Sequence, residues 1–248
     1  MNFYISTIAA DAEQMARQYG LGLEVAEYCT AYNLDQYFDD TNSSVLRKIN
    51  GISSLTFHAP YNELFPCAID PEARSLARLR YLQAISLAAT YGATKVVIHG
   101  GYNPNMYYPC WFTEQSIIFW RDFLNDLPDG PQICLENVLE DEPGLLLDVV
   151  KAVNHPRLQL CLDVGHVNTY SKIPVSDWLE TWASYISHFH LHNNHCDLDT
   201  HQSLFEGTIP MAELLTRANK LCPDATYALE VIEAEPSVYW LREAKFIS

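Results

Sequence analysis

Short apolar segments typical of β-strands alternate eight times with helix-like segments along this chain of 248 residues. The apolar segments are rich in β-branched and aromatic residues, as buried strands are. The predicted strands are residues 3–8, 22–28, 55–60, 95–100, 132–138, 159–164, 186–193 and 226–232. Eight strand–helix units of about 31 residues each predict a closed (β/α)8 barrel, of the α/β class.

The helical segments support this architecture. The clearest covers residues 71–91, where apolar residues recur at helical spacing after Asp70 and Pro71, a typical helix start. The others are residues 10–19, 44–50, 113–127, 142–153, 175–185, 210–221 and 237–246. A doubly wound sheet also alternates strands and helices, but the chain has no Gly-x-Gly-x-x-Gly turn. No linker divides the sequence, so residues 1–248 are predicted to form one domain.

Composition narrows the range of partners. The net charge is −16, from 15 basic and 31 acidic residues, which opposes nonspecific binding to nucleic acids. No apolar segment approaches the roughly 20 residues of a membrane span, and no signal peptide is recognisable at the N-terminus. The seven cysteines are an odd number without a Cys-x-x-Cys pair. We therefore expect a reducing, cytoplasmic setting.

Histidines and acidic residues cluster at the ends of the predicted strands. In the seventh strand, His188, His190 and His192 share one face, while Phe189 and Leu191 share the other. Barrel closure would bring the C-terminal ends of all strands together, where barrel enzymes place their chemistry. The candidate metal ligands at these ends are His58, His99, Glu136, Asp163, His166, His190, Asp199, His201 and Glu230. Imidazole and carboxylate groups together predict a divalent metal site for Zn, Mn, Co or Mg, with one to three ions per chain.

The order of these residues resembles the ligand order of the xylose isomerase-like TIM-barrel superfamily, and the resemblance spans essentially the whole chain. That superfamily includes sugar isomerases, epimerases and endonuclease IV proteins. The resemblance to its epimerases implies one metal ion, with the ligands Glu136, Asp163, His190 and Glu230. It also implies that Glu136 and Glu230 transfer protons to and from the substrate, and that His166 binds a substrate hydroxyl.

The resemblance to endonuclease IV implies three zinc ions, and all nine ligands have a counterpart. His58, His99 and Glu136 would hold the first ion. Glu136 would bridge to the second, which Asp163, His190 and Glu230 would also hold. His166, Asp199 and His201 would hold the third. Such a centre hydrolyses phosphodiesters, because zinc lowers the pKa of water to about 7.

Loop composition favours the isomerase or epimerase interpretation over the hydrolase. Residues 29–44 and 102–112, the two large loops at this end, contain no Lys or Arg to contact phosphates. Asn193 stands where the endonuclease pattern has an acid. The predicted activity is therefore proton transfer on a small sugar or polyol-like substrate, with a trinuclear phosphodiesterase as the alternative. A metal-binding barrel without catalysis is the third interpretation.

Several residues beside the ligands are expected to contact the substrate. They are Glu24, Tyr61, Trp111 and His192. Glu24 has a second interpretation, in which it pairs with a neighbouring histidine. The expected partner is a small carbohydrate, with no nucleic acid and no membrane, and the chain is a candidate homodimer.

Overall fold

The computed structural model of the protein describes residues 1–248 and contains the predicted barrel. Eight parallel strands pair in chain order, and the first also pairs with the eighth, so the sheet has no free edge. The strands are β1 (Asn2–Ser6), β2 (Gly22–Val25), β3 (Leu55–His58), β4 (Lys95–His99), β5 (Gln132–Glu136), β6 (Leu158–Asp163), β7 (Ile186–Leu191) and β8 (Thr226–Leu229). The (β/α)8 prediction is confirmed.

Ten helices connect and surround the strands. They are α1 (Ala12–Tyr19), α2 (Ala31–Leu34), α3 (Phe38–Ile49), α4 (Pro71–Tyr91), α5 (Pro109–Asn125), α6 (Gly144–Val153), α7 (Val164–Tyr170), α8 (Val175–Trp182), α9 (Met211–Leu221) and α10 (Glu235–Glu243). None of them is both long and apolar enough to cross a bilayer.

Helix α4 shows how the sequence sets the boundaries of an element. The Asp70 carboxylate accepts a hydrogen bond from the Glu72 backbone N–H at 2.8 Å, and Pro71 occupies the first helical position. Gly92 ends the helix in the left-handed conformation, at a φ of 76°. The predicted range of residues 71–91 is confirmed because both ends carry a local stop signal.

The two faces of the barrel strands differ in polarity. Outward-facing residues pack under the helices in one large apolar core, where Phe189 stacks on Tyr227 at 4.8 Å between ring centroids. Inside the barrel, only Val97, Cys134 and Cys161 form a small apolar cluster. Much of the remaining interior is polar. None of the seven cysteines of the chain forms a disulfide. The interior therefore resembles a binding site more than a packed core.

Two stretches differ most from the prediction, beside shifts of a few residues at the ends of other elements, such as α5, which begins at Pro109 rather than at residue 113. The loop after β2 holds the short helix α2 and the first turn of α3, so the predicted helix 44–50 begins six residues earlier, at Phe38. Helix α7 was not predicted. Strand β6 ends at Asp163 and α7 begins at the next residue, so no turn separates the strand pattern from the helix. That carboxylate caps α7 by accepting from the His166 backbone N–H at 2.7 Å.

Gly22 provides a test of the packing between β1 and β2. A Cβ atom at this position would lie 2.4 Å from the Tyr4 ring and 2.8 Å from the Ser54 hydroxyl. We predict that Gly22→Ala lowers the free energy of unfolding by about 1–3 kcal/mol through overpacking, measured by chemical denaturation. Gly144→Ala is the matched control, since nothing lies within 4 Å of its Cβ. Equal stability of the two variants would contradict this account of the β1–β2 contact.

Candidate metal centre

Nine candidate ligands converge above the C-terminal ends of the strands, in three neighbouring groups of which two share Glu136. The first consists of His58, His99 and Glu136 from the ends of β3, β4 and β5. The second shares Glu136 and adds Asp163, His190 and Glu230 from β6, β7 and the end of β8. Within each group, one ligand atom per residue lies within 4.8 Å of every other. We call these the first and the central subsite.

The third subsite lies beside the central one and depends on a loop. His166 in the first turn of α7 and the Asp199–His201 pair of the β7–α9 loop face one another there. The Asp199 carboxylate lies 3.2 Å from His166 Nε2 and 3.3 Å from His201 Nε2. His192 is close enough to belong to this group, and its ring stacks on His201 at 3.9 Å.

Glu136 joins the subsites. Its side chain is fully buried, and each carboxylate oxygen faces two imidazoles. Oε2 lies 3.3 Å from His58 Nε2 and 3.4 Å from His99 Nε2. Oε1 lies 2.9 Å from His190 Nδ1 and 3.5 Å from His166 Nδ1. A carboxylate with one oxygen turned toward each side has the geometry of a bridging ligand.

The imidazoles are oriented as metal ligands are. The Nδ1 atoms of three rings donate to backbone carbonyls, at 2.8 Å in His58, 2.8 Å in His166 and 2.7 Å in His201. This fixes the proton on Nδ1, so in the neutral ring the Nε2 lone pair points at a carboxylate oxygen. Two electron-rich atoms at about 3.3 Å repel unless a cation lies between them. The donor set therefore fits divalent metal ions.

The titration behaviour of the free ligands leads to the same conclusion. Burial lowers the pKa of His166, but Asp163 and Asp199 outweigh it and raise the pKa to about 10. Burial also lowers the pKa of His201, but the Asp199 carboxylate outweighs this effect and raises the pKa of His201 to about 9. These rings take up protons when no other cation balances the acids. Metal binding would displace those protons, because a ligating imidazole must be neutral.

A cavity of about 590 Å³ opens above the subsites. Its floor is made of the ligands, and Ile8, Cys29, Tyr61, Val138 and Ile232 contribute to its walls. None of its 13 lining residues is Lys or Arg. The Tyr61 ring stacks on His99 at 4.4 Å. A small molecule would therefore meet apolar walls and a strongly polar floor.

Three of the predicted substrate contacts lie outside the cavity lining. Glu24 is fully buried below the cavity and contacts His188 and His190, which was its second interpretation. His192 is also fully buried, and its Nε2 lies 3.1 Å from Asp163 Oδ1. Because His192 Nδ1 has no partner, its proton belongs on Nε2, where it donates to Asp163. The Trp111 indole N–H instead donates to the Cys67 carbonyl at 2.9 Å, outside the cavity lining. Tyr61 lies at the cavity, and its contact with a substrate stays a prediction.

Asn193 has a structural role that the sequence pattern did not suggest. Its Nδ2 donates to the carbonyls of Leu204 at 2.9 Å and Ile209 at 3.2 Å. Its Oδ1 accepts from the backbone N–H groups of Asn194 and Ile209. These bonds fix the loop that carries the Asp199–His201 pair. An acid at this position could not donate, so the amide is required for this loop rather than for recognition of a ligand.

Replacement of Asn193 tests this role. Asn193→Asp should lower the free energy of unfolding by about 1–3 kcal/mol, because two carbonyls lose their donor and face a buried charge. Chemical denaturation measures the change. Asn105→Asp, at an exposed loop position, is the control and should leave stability within about 0.5 kcal/mol. A fully stable Asn193→Asp protein would show that the loop does not depend on the amide.

Glu140 gives a prediction of pH dependence. Burial raises the pKa of Glu140 from its usual 4.5 to about 7, although the Val138 N–H donates to it. Between these values the folded protein holds a proton that the unfolded chain has released. Stability therefore falls by up to about 1.4 kcal/mol per pH unit as the pH rises through this window.

Glu140→Gln removes this titration, so its stability relative to the unmodified protein should increase from about pH 5 to about pH 8. Urea titrations at both pH values measure the difference. Glu114→Gln, at an exposed position of α5, controls for the loss of one charge. A stability difference that does not change with pH would contradict the buried-acid interpretation.

Comparison with known proteins supplies two curated relatives. An uncharacterized protein of Methanocaldococcus jannaschii is 28% identical over 190 residues, which cover 71% of this chain and 64% of that protein. Probable endonuclease 4 of Ureaplasma parvum is 26% identical over 193 residues, which cover 69% of this chain and 63% of that protein. The chain thus spans slightly less than two thirds of the length of either relative.

Solved structures are similar over nearly the whole chain. A protein of Thermus thermophilus, soaked with ZnCl2, is 27% identical with a TM-score of 0.77, and the match covers 98% of both chains. A D-tagatose 3-epimerase-like protein is 23% identical with a TM-score of 0.79, covering 99% of this chain and 97% of the other. The family model described as Xylose isomerase-like TIM barrel matches residues 15–247. The chain therefore belongs to the xylose isomerase-like TIM-barrel family.

Proposed function

We propose that this protein is a metal-dependent phosphoester hydrolase with three metal subsites. The observation that carries the proposal is the placement of Glu136, whose two oxygens each face two imidazoles and so belong to two subsites at once. A proton-transfer base needs a free oxygen directed at the substrate. Glu136 has none, which favours a bridging role over the predicted catalytic one.

Each subsite has its own ligands. His58 and His99 hold the first, Asp163, His190 and Glu230 the central one, and His166, Asp199 and His201 the third, with Glu136 shared between the first two. Divalent ions bound there would act as Lewis acids on a phosphoryl group and lower the pKa of water to about 7. The chain supplies four carboxylates to three such ions. The loaded centre is therefore net positive and suits a phosphate without help from Lys or Arg.

The substrate we propose is a small phosphoester rather than a nucleic acid polymer. The cavity walls carry no cation, and the net charge of −16 opposes the approach of a polyanion. The apolar walls near Ile8 and Ile232 suit an uncharged leaving group. The curated relative named probable endonuclease 4 supports phosphoester chemistry. The zinc-soaked Thermus thermophilus protein supports zinc as one ion for the site.

An isomerase or epimerase acting on a small sugar or polyol is the second candidate. It is favoured by the opposite titration of two acids in the central subsite. Burial raises the pKa of Glu230, whereas the surrounding imidazoles, His190 first among them, overcome burial and hold the pKa of Glu136 well below its usual value. Two carboxyl groups with separated pKa values can serve as proton donor and acceptor. In this candidate a single ion in the central subsite suffices.

His201→Ala separates the two candidates. In the hydrolase, it should reduce bound zinc from about three ions to two per chain and lower the turnover of bis(p-nitrophenyl) phosphate by about 100-fold or more. Removing a metal ligand should reduce activity at least as much as removing a residue that only orients a ligand, which typically costs about 10- to 100-fold. Elemental analysis and steady-state kinetics measure the two effects. His195→Ala, on the exposed part of the same loop, is the matched control and should change neither.

Other results would favour the second candidate or contradict both. Unmodified protein that retains one exchangeable ion, interconverts ketoses and is unaffected by His201→Ala would support the isomerase. Cleavage of abasic-site DNA would show that the substrate is larger than we propose. Protein that takes up no divalent metal and acts on neither substrate class would contradict both candidates.

A further inference from the structure

A buried carboxylate lies directly below the metal centre and belongs to none of the subsites. Glu24, near the end of β2, is fully buried in the barrel interior. Its Oε2 accepts from the Thr56 hydroxyl at 2.9 Å and contacts His188 Nε2 at 3.0 Å. Its Oε1 lies 3.0 Å from His190 Nε2, in an ion-pair contact that is not aligned as a hydrogen bond. Neither of these two buried atoms has a hydrogen-bond partner.

This contact distinguishes His190 from the other candidate ligands. The outward-facing nitrogens of His58, His166 and His201 donate to neutral carbonyls. His190 differs from these three because neither of its ring nitrogens donates to a backbone carbonyl: Nε2 lies 3.0 Å from Glu24 and Nδ1 lies 2.9 Å from Glu136. A carboxylate behind a ligating imidazole fixes the ring orientation and makes the opposite nitrogen a stronger donor to a metal.

We propose that Glu24 is a positioning residue that acts through His190 to make the central subsite the tightest of the three. The inference rests on the proposed metal centre and deepens it, because it predicts an order of metal affinity. The central subsite should fill first and empty last. The first and third subsites, in which His58, His166 and His201 donate to carbonyls, should exchange their ions more readily.

A row of polar groups holds Glu24 in place from below. His188 contacts Glu24 with Nε2 and the Thr226 hydroxyl with Nδ1, at 2.5 Å. Lys95, at the start of β4, donates to the same hydroxyl at 3.0 Å and also to the Ser187 carbonyl. The row reaches from the ligand His190 to the opposite end of the barrel. Together with the Thr56 hydroxyl, His188 holds Glu24 Oε2, which leaves Oε1 facing His190.

A purely structural role does not account for this arrangement. Removing a carboxylate from water costs several kcal/mol, and apolar residues of similar volume commonly give equal or greater stability in a barrel interior. The cluster of Val97, Cys134 and Cys161 shows that the same interior accepts small apolar residues. The carboxylate therefore has to be explained by the group that its free oxygen faces, which is the ligand His190.

Stepwise removal of metal from the full-length protein tests the proposal. Zinc-loaded protein is titrated with a chromophoric chelator, and the affinity of each ion is fitted separately. Glu24→Gln keeps the size of the side chain but removes the charge, so it should weaken the tightest ion by about 10- to 100-fold and leave the other two unchanged. Glu27→Gln is the matched control, since Glu27 contacts Thr7 and Lys48 but no candidate ligand.

A second readout separates positioning from simple loss of structure. Nitrogen NMR of the histidine rings should show His190 protonated on Nε2 and bound through Nδ1 in the unmodified protein, with this preference weakened in Glu24→Gln. Glu24→Asp keeps a carboxylate for Thr56 and His188 but withdraws it from His190. If the Gln variant does not fold, the Asp variant should show the same loss of the tightest ion.

The outcomes distinguish this proposal from the proposed function. Unmodified protein that binds no zinc would overturn both. Folded Glu24→Gln protein, or Glu24→Asp in its place, that holds all three ions as tightly as the unmodified protein would overturn only the role of Glu24. Equal weakening of all three ions would also overturn it, because the effect would then be general rather than transmitted through His190.

Discussion

The Glu136 carboxylate, buried among four imidazoles, is the interaction on which the other features of the site depend. An isolated carboxylate in this position would be too costly to bury. Its neighbours come from β3, β4, β7 and the start of α7, so only the closed barrel can assemble them. The same closure turns single polar residues, each unremarkable in its own strand, into one ligand cluster. A change that prevents closure of the barrel would therefore also disperse the candidate ligands.

The polar interior makes the barrel depend on paired groups rather than on apolar layers. The region below the candidate metal centre is filled by the polar side chains of Glu24, His188, Thr226 and Lys95, which contact one another in a row. Above it, Asn193 fixes the loop that supplies the third subsite. The centre is thus supported from two directions. The lower support is part of the barrel strands, whereas the upper one is a loop held by the Asn193 amide and by backbone hydrogen bonds between Asn193 and Gln202.

The sequence predicted the barrel and the convergence of the nine ligands because both follow from periodicity and strand order. Residues that act through local hydrogen bonds were less accessible. The strand pattern could not distinguish Glu24 facing a substrate from Glu24 facing His190, since both lie on the inner face of β2. In sequence, Asn193 indicates only that the endonuclease pattern lacks its acid here, whereas in the structure its amide holds the β7–α9 loop. Helix α7 could not be predicted from the strand pattern, because Asp163 is both the last residue of β6 and the N-cap of α7, and it also faces the central subsite.

The bridging role that we propose for Glu136 requires two separate metal ions, one beside each of its carboxylate oxygens. Anomalous diffraction from zinc-loaded crystals tests it most directly, because each ion appears as its own peak. We expect three peaks, with the Glu136 carboxylate between two of them and the Asp199–His201 pair beside the third. A single peak among Asp163, His190 and Glu230, with His58 and His99 bound only to protons, would contradict it.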